Sequence, residues 1–188
     1  MSGKSAKEAR RLEVRSSVSA PVVITKRNIL EMWAVLERMS DVKGTKDIQF
    51  QYGIARNRAK LRPEVTLLEE AQKPPEGYDA YEKARLEIVK ANAKLHPETG
   101  EPITYDEGRR IAIDASKQRA FDAAVEKLQQ SEAHKAVVDQ YREQITQYNK
   151  MLDDQIEVGP LHPMVLDLFP PEHTTGRDID ILFPILKE

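Results

Sequence analysis

Four basic side chains follow one another at every second position of a short stretch: Arg56, Arg58, Lys60 and Arg62. Cations at this density can contact the phosphate groups of a nucleic acid. They also occur on the solvated face of many helices, and that interpretation is favoured because the whole chain carries a net charge of −2 and has no overall basic field. A groove for phosphates is the alternative.

The histidines are the other side chains that could act in catalysis or bind a metal ion, and they are scattered along the chain at His96, His134, His162 and His173. His162 and His173 share a segment with Asp167 and Glu172, a set of donors that suits a metal ion. The prolines of this segment favour a docking loop instead. Under the metal interpretation, the chain would be a small hydrolase.

His134 offers little for catalysis or for metal binding. Neither position four residues away carries a second metal-binding side chain. Ser131 lies one helical turn before His134, but backbone amides inside a helix are already hydrogen-bonded and cannot form an oxyanion hole. We interpret His134 as a surface histidine.

Composition argues against several other kinds of active site. There is no cysteine, which excludes disulfides, thiol catalysis and cysteine-bound zinc, and the eight glycines form no phosphate-binding loop. Carboxylates are frequent, but they fall on faces predicted to be solvated, so burial separates no pair of them in pKa. We therefore expect a protein that is not an enzyme and that needs neither a cofactor nor a metal ion.

The elements that position these residues are predicted to be helical. Hydrophobic content is 40%, charged content 32% and aromatic content 6%, which is typical of a helix-rich protein with an elongated core. No apolar stretch approaches the ~18 residues of a membrane span, and residues 1–20 lack the apolar core of a signal peptide. We expect the protein to act inside a cell or in a particle assembled there.

The most regular pattern lies near the end of the chain. Apolar residues recur at steps of three and four in the series Val138, Tyr141, Ile145, Tyr148 and Leu152, the seam of a helix packed along another helix. The pattern predicts one long helix over 114–153. Polar residues at 131–135 weaken the seam, either at a local bend or where the helix passes the end of its partner. Tyr141 and Tyr148 are the candidate anchors for a protein partner.

The remaining pattern predicts helices at 26–39, 47–72, 77–95 and 178–187, with Thr25 capping the first helix and Asp178 the last. Pro63 should kink the second helix or begin a new one. Short strands are expected at 22–24 and 155–158, whereas 103–113 is equally compatible with a hairpin and with a helix. The predicted fold is mainly α: an antiparallel helical hairpin or bundle with a small β element formed by N-terminal and C-terminal strands. A flexible basic arm (1–20) precedes a single helical domain (21–188).

Three phrases of the sequence resemble a known family. FQYGIARNRAKLRPEVTLLEEA is similar to an "SYAIAKN…L..E…E.A" pattern, HPETGEPI resembles the tip of a helical hairpin, and DIDILFPILKE resembles a closing "L..L.P.I.E" phrase. Together they resemble a family of small helical-hairpin proteins encoded by tailed phages and prophages, over roughly 21–188. This chain is longer, with the extra length in 115–153 and in the N-terminal arm. The resemblance implies a phage setting and a non-enzymatic role, and it transfers no catalytic residue.

Three functions are compatible with these observations. The first is a protein-interaction protein of a phage, a virion component or assembly factor that acts through helix faces. We expect such a protein to form a homo-oligomer in the host cytoplasm or in the virion, with no membrane partner. The second is a phage inhibitor of a host or defence protein. The third is a nucleic-acid-binding accessory protein that uses residues 1–15 and the cluster at 56–62.

Overall fold

The computed structural model describes residues 21–42 and 47–187. The predicted basic arm lies outside this range. The class is mainly α with small strands near both ends of the chain, as predicted. The chain divides into two compact units. Unit 1 combines the described residues up to Ala71 with those from Asn149 onward, and unit 2 is Gln72–Tyr148; the sequence had suggested a single domain.

Within the described residues, the α-helices in chain order are α1 (Lys26–Ser40), α2 (Ile48–Gln72), α3 (Tyr78–Ala91), α4 (Gln118–Gln129), α5 (Lys135–Met151) and α6 (Gly176–Leu182). The strands are β1 (Val22–Thr25), β2 (Thr104–Tyr105), β3 (Arg110–Ile111), β4 (Gln155–Val158), β5 (Met164–Val165) and β6 (Leu186–Lys187). None of these helices combines the length and the apolar character needed to cross a membrane.

Unit 1 begins with the predicted β element. Strands β1 and β4 pair antiparallel, with Val22 opposite Val158 and Ile24 opposite Ile156. Their β-branched residues suit the pleated, half-buried surface of a sheet. This pairing confirms the β element expected from the two ends of the chain.

Helix α1 follows β1 directly and supplies much of the core of unit 1. The Thr25 side chain caps it, because Oγ1 accepts a hydrogen bond from the Asn28 backbone N–H at 3.1 Å. The buried stripe of α1 recurs at helical spacing, at Ile29, Met32, Leu36 and Met39. Both the cap and the helix agree with the predicted features.

Helix α2 runs without interruption past Pro63. Proline has no N–H, so the intrahelical bond from residue 63 to the Ala59 carbonyl is missing. The predicted new helix start at this point is wrong. The core side of α2 is lined by Phe50, Ile54, Leu61, Val65 and Leu68.

The C-terminal part of unit 1 closes its core with Phe169, Leu182 and Ile185. Helix α6 begins after Thr175, whose side chain and Asp178 form a reciprocal capping box. Asp178 is therefore the third helical residue and not the cap that the sequence suggested. After Leu182 the chain turns through a short 3₁₀ segment into β6, which pairs parallel with β5, so the last helix is shorter than predicted.

Unit 2 contains an antiparallel pair of helices, α3 and α4. Near the start of α3, the Tyr81 hydroxyl accepts a hydrogen bond from the Gln129 side chain at the end of α4. At the opposite ends, the Asp114 N–H donates to the Asn92 carbonyl. These two contacts at opposite ends establish the antiparallel arrangement.

Beyond α3 the chain is extended and not helical. Lys94 donates its N–H to the Ala112 carbonyl at 2.8 Å and is therefore part of the extended segment. The helix thus ends before the predicted residue 95. Strands β2 and β3 then pair antiparallel. The hairpin is therefore the correct alternative for 103–113.

The predicted continuous helix over 114–153 is wrong. The chain forms a short 3₁₀ turn at Ala115–Lys117, then α4, and then α5 after a turn at residues 130–134. Ser131 stabilises this turn: its side chain donates to the Leu128 carbonyl, and its own carbonyl accepts from Lys135 N–H. The weakened seam at 131–135 thus corresponds to a break between two helices.

Candidate functional site

The four basic residues of α2 lie on different faces of this helix. A step of two residues turns a helix by about 200°, so Arg58 and Arg62 share one face, whereas Arg56 and Lys60 share another. The structure therefore does not bring the four cations together into one phosphate-binding groove. It brings two of them to an open groove beside α1.

This groove, called the Trp33 groove, is lined by Trp33, Ala55, Arg58, Ala59 and Arg62 and has a volume of about 440 Å³. The alanines offer only methyl groups and leave the surface of α2 accessible between the larger side chains. Trp33 is packed against the core of unit 1 but is only partly buried. It is therefore shared between the core and the groove.

Arg58 is held in place by three contacts. Its guanidinium carbon lies 5.0 Å from the centre of the Trp33 ring, within the range of a cation–π interaction. Nη2 contacts Oε1 of Glu37 at 3.2 Å, and Nη1 donates to Oγ of Ser40 at 2.9 Å. The charge of Arg58 is thus balanced by Glu37, and its orientation is fixed.

Arg56 belongs to a second arrangement, on the other side of α2. Its guanidinium carbon lies 5.8 Å from the centre of the Tyr52 ring. The Tyr52 ring in turn meets the His162 ring edge-on, with centres 5.3 Å apart. A cation, a phenol and an imidazole therefore follow one another across α2 and the chain segment after β4.

Asn57 attaches this segment to α2. Its Nδ2 donates to the His162 carbonyl at 2.8 Å, and its Oδ1 accepts from the His162 N–H at 2.7 Å. The Asn57 side chain is completely buried. Gly53 permits the close approach, because a Cβ there would lie 3.1 Å from Cγ of Met164.

His162 is biased toward its neutral form. Partial burial lowers the pKa of its imidazole, and the nearby positive charges of Arg56 and Lys187 lower it further. A neutral imidazole keeps one N–H donor and one acceptor nitrogen. At neutral pH the ring thus behaves as a polar, uncharged contact surface.

The surface around His162, called the His162 patch, consists of Ile48, Tyr52, His162 and Val165. The exposed fractions are 83% for Ile48, 53% for Tyr52 and 41% for Val165. Ile48 and Tyr52 are one helical turn apart and so share a face of α2. Gln49, His162 and Val165 line a small crevice of about 60 Å³ between this turn and β5. The result is an apolar surface with a polar ring in it.

The two tyrosines proposed as partner anchors lie elsewhere. In unit 2, the Tyr141 ring contacts the Tyr78 ring at a tilt of 51°, with ring centres 4.4 Å apart, and it is half-buried. Tyr148 is 7% exposed. Their rings are largely used in internal packing, which leaves little surface for a partner. Ile145 between them is half-buried as well.

The remaining histidines take part in local contacts. His134 lies edge-on to Tyr81 at 6.0 Å between ring centres, and the His173 carbonyl accepts a hydrogen bond from Arg38. Among residues 21–42 and 47–187, no group of three or more histidine, aspartate or glutamate side chains is arranged to hold a metal ion.

Two features of the site were missed by the sequence analysis. Asn57 was passed over because a single asparagine among basic residues resembles a solvated helix position. The separation of the cations was detectable, since alternate residues of a helix face in nearly opposite directions. The helical spacing of Ala55, Arg58, Ala59 and Arg62 was the available signal for the groove.

In comparisons with known proteins, no family model, no curated protein and no solved structure matches this chain.

Proposed function

We propose that the chain is a phage-encoded, non-enzymatic protein-interaction protein that binds its partner through the His162 patch. The observation that carries the proposal is the exposure of large apolar side chains at Ile48 and Tyr52 on one face of α2. Exposed apolar surface of this kind marks protein-interaction sites. The phage setting is supported by the family resemblance of the sequence phrases.

The partner we propose is a different protein that offers apolar side chains flanked by carboxylates. Two cations border the His162 patch: Arg56 lies over the Tyr52 ring, and Lys187 is the strand partner of Val165. A carboxylate beside the apolar contact would complement these charges. A two-fold contact with a second copy would instead place like charges close together, which disfavours self-association through this patch.

The structural support for the patch is a rigid attachment. The buried Asn57 side chain holds the His162 backbone by two hydrogen bonds, so the crevice between α2 and β5 is preformed. A preformed surface loses less conformational entropy when a partner binds.

The test is affinity purification of the tagged, full-length chain from phage-infected cells, followed by mass spectrometry. The variant Ile48→Asp places a charge in the patch at an exposed position, and Leu67→Asp is the matched control because Leu67 is 63% exposed on the same helix. We expect one protein to be lost with Ile48→Asp and retained with Leu67→Asp.

The identity of that protein separates the two phage roles. A capsid, neck or tail protein would support a virion component or assembly factor, and a host protein would support an inhibitor. If every co-purifying protein is retained equally by both variants, the patch is not the interaction surface. A dimer in sedimentation analysis that is lost with Ile48→Asp would assign the patch to a second copy instead.

A further inference from the structure

The Trp33 groove combines two features that suit one chemical class of ligand: a guanidinium plane that lies over an aromatic ring, and a second, exposed cation. We propose that this groove binds a nucleobase–phosphate unit, either as a free nucleotide or as part of a single-stranded nucleic acid. The proposal is independent of the His162 patch, which lies on another face of α2.

The shape of the groove suits a planar ring. Its volume of about 440 Å³ lies within the range of small-molecule sites. Ala55 and Ala59 keep the surface of α2 low, while Trp33 and Arg58 rise beside it. Base stacking on an aromatic side chain and on a guanidinium plane is a general mode of nucleic-acid recognition.

Arg58 is already oriented for such stacking, but it is not the main source of positive charge in the groove. Its position over Trp33 is fixed by Glu37 and Ser40, so little side-chain freedom remains to be lost when a ligand binds. Glu37 offsets its charge. The groove therefore needs a second cation to attract a phosphate.

Arg62 supplies that cation. It lines the groove and is exposed, and none of the ion pairs among residues 21–42 and 47–187 includes it. A guanidinium in this situation can form a bidentate contact with a phosphate group.

Trp33 is the only tryptophan of the chain, so its fluorescence reports directly on the groove. We would titrate the full-length protein with adenosine monophosphate, with single-stranded oligo(dA) of about ten nucleotides, with inorganic phosphate and with an acidic peptide. Quenching by adenosine monophosphate would support a free-nucleotide site. Quenching by the strand alone would support binding of a single strand. Binding of phosphate or the peptide as tightly as either would overturn the proposal, as would no response to any nucleotide probe.

Two variants distinguish nucleotide binding in the groove from a general attraction of nucleotides to a basic helix. Arg62→Gln should weaken nucleotide binding about tenfold or more, since a charge-assisted hydrogen bond contributes about 1.5–3 kcal/mol. Lys60→Gln removes the same charge from another face of the same helix and should leave affinity within about twofold. Both positions are exposed, so the melting temperatures should match the wild type. Equal weakening by both variants would overturn the groove as the binding site.

Discussion

The Asn57 side chain and the His162 backbone form two hydrogen bonds with each other, one in each direction, across 105 residues of sequence. An asparagine amide can satisfy a peptide N–H and C=O at once because it has the same donor and acceptor groups. The pair therefore binds the segment after β4 to the middle of α2.

Replacing Asn57 by alanine should destabilise the protein strongly. Both His162 backbone groups would lose their partner in a buried position, which costs about 1–3 kcal/mol for an unsatisfied group. We expect a loss of about 2–3 kcal/mol in the free energy of unfolding, measured by urea denaturation. Asn149→Ala, at an exposed position of α5, should change it by less than about 0.5 kcal/mol. Similar effects of the two variants would contradict this account.

The buried carboxylate of Asp178 should make the stability sensitive to acid. Burial alone would raise its pKa, but hydrogen bonds from Thr175 and Arg38 outweigh burial and lower it; Nη2 of Arg38 lies 2.6 Å from Oδ1. Because the folded pKa is below the unfolded value of about 3.9, the contribution is present above that pH and is lost as the pH falls through the folded pKa.

Asp178→Asn should therefore lower the melting temperature at neutral pH and flatten its decline below about pH 4. Asp180→Asn changes an exposed carboxylate of the same helix and should keep the wild-type acid dependence. The melting temperatures of both variants would be measured by thermal unfolding, followed by circular dichroism, from pH 2 to 7 in steps of about one pH unit. An unchanged acid dependence in Asp178→Asn would show that another group controls it.

Tyr78 should ionise later than an ordinary tyrosine. Burial and the neighbouring Glu82 carboxylate raise its pKa to about 12. Because the folded pKa exceeds the unfolded value of about 10, the neutral phenol contributes stability below that pH, and the contribution is lost as the pH rises toward the folded pKa.

Ultraviolet absorbance should resolve this late step, and Tyr78→Phe should remove it. Tyr105→Phe, in which an exposed ring is changed, is the control and should leave the late step in place. Far-ultraviolet circular dichroism must show that the chain is still folded over the same range. A late step that survives in Tyr78→Phe would assign it to another tyrosine.

A charge introduced in the seam of α5 should be costly. Ile145 is half-buried between Tyr141 and Tyr148, and burying a carboxylate without a partner is unfavourable. We expect Ile145→Asp to reduce the free energy of unfolding by about 2–3 kcal/mol. Gln140→Asp, at an exposed position of the same helix, is the control. A melting temperature of Ile145→Asp equal to that of the control would mean that the seam faces water.

Features that depend on neighbouring residues could be predicted from the sequence. Thr25 caps α1 through Asn28, only three residues away, and the strand at Val22–Thr25 follows from its own β-branched residues. The apolar periodicity of α5 likewise identified its buried side, because helix geometry places Val138 and Tyr148 on one face.

Features that depend on distant parts of the chain could not be predicted from the sequence. The partner of Asn57 is a peptide group 105 residues away, and a peptide group carries no signature in the sequence. The break before α5 was visible only as a weakened seam, since the Ser131 contacts that form the turn are local contacts that compete with helix formation. The His162 patch is affected most, because it pairs α2 with a segment 105 residues away.

The two-part construction of unit 1 sets an order for events during translation. Unit 2 is complete once Tyr148 has been synthesised. In unit 1, β1 can pair only after β4 has been synthesised, and Asn57 can bond only after His162 has been synthesised. The emerging chain therefore holds the apolar faces of α1 and α2 without their final cover until the C-terminal segment leaves the ribosome. Such late, non-local closure is slow and exposes the nascent chain to aggregation. A ribosome stalled with Tyr148 just outside the exit tunnel and β4 still inside it should accordingly present a folded unit 2 and a protease-sensitive α1.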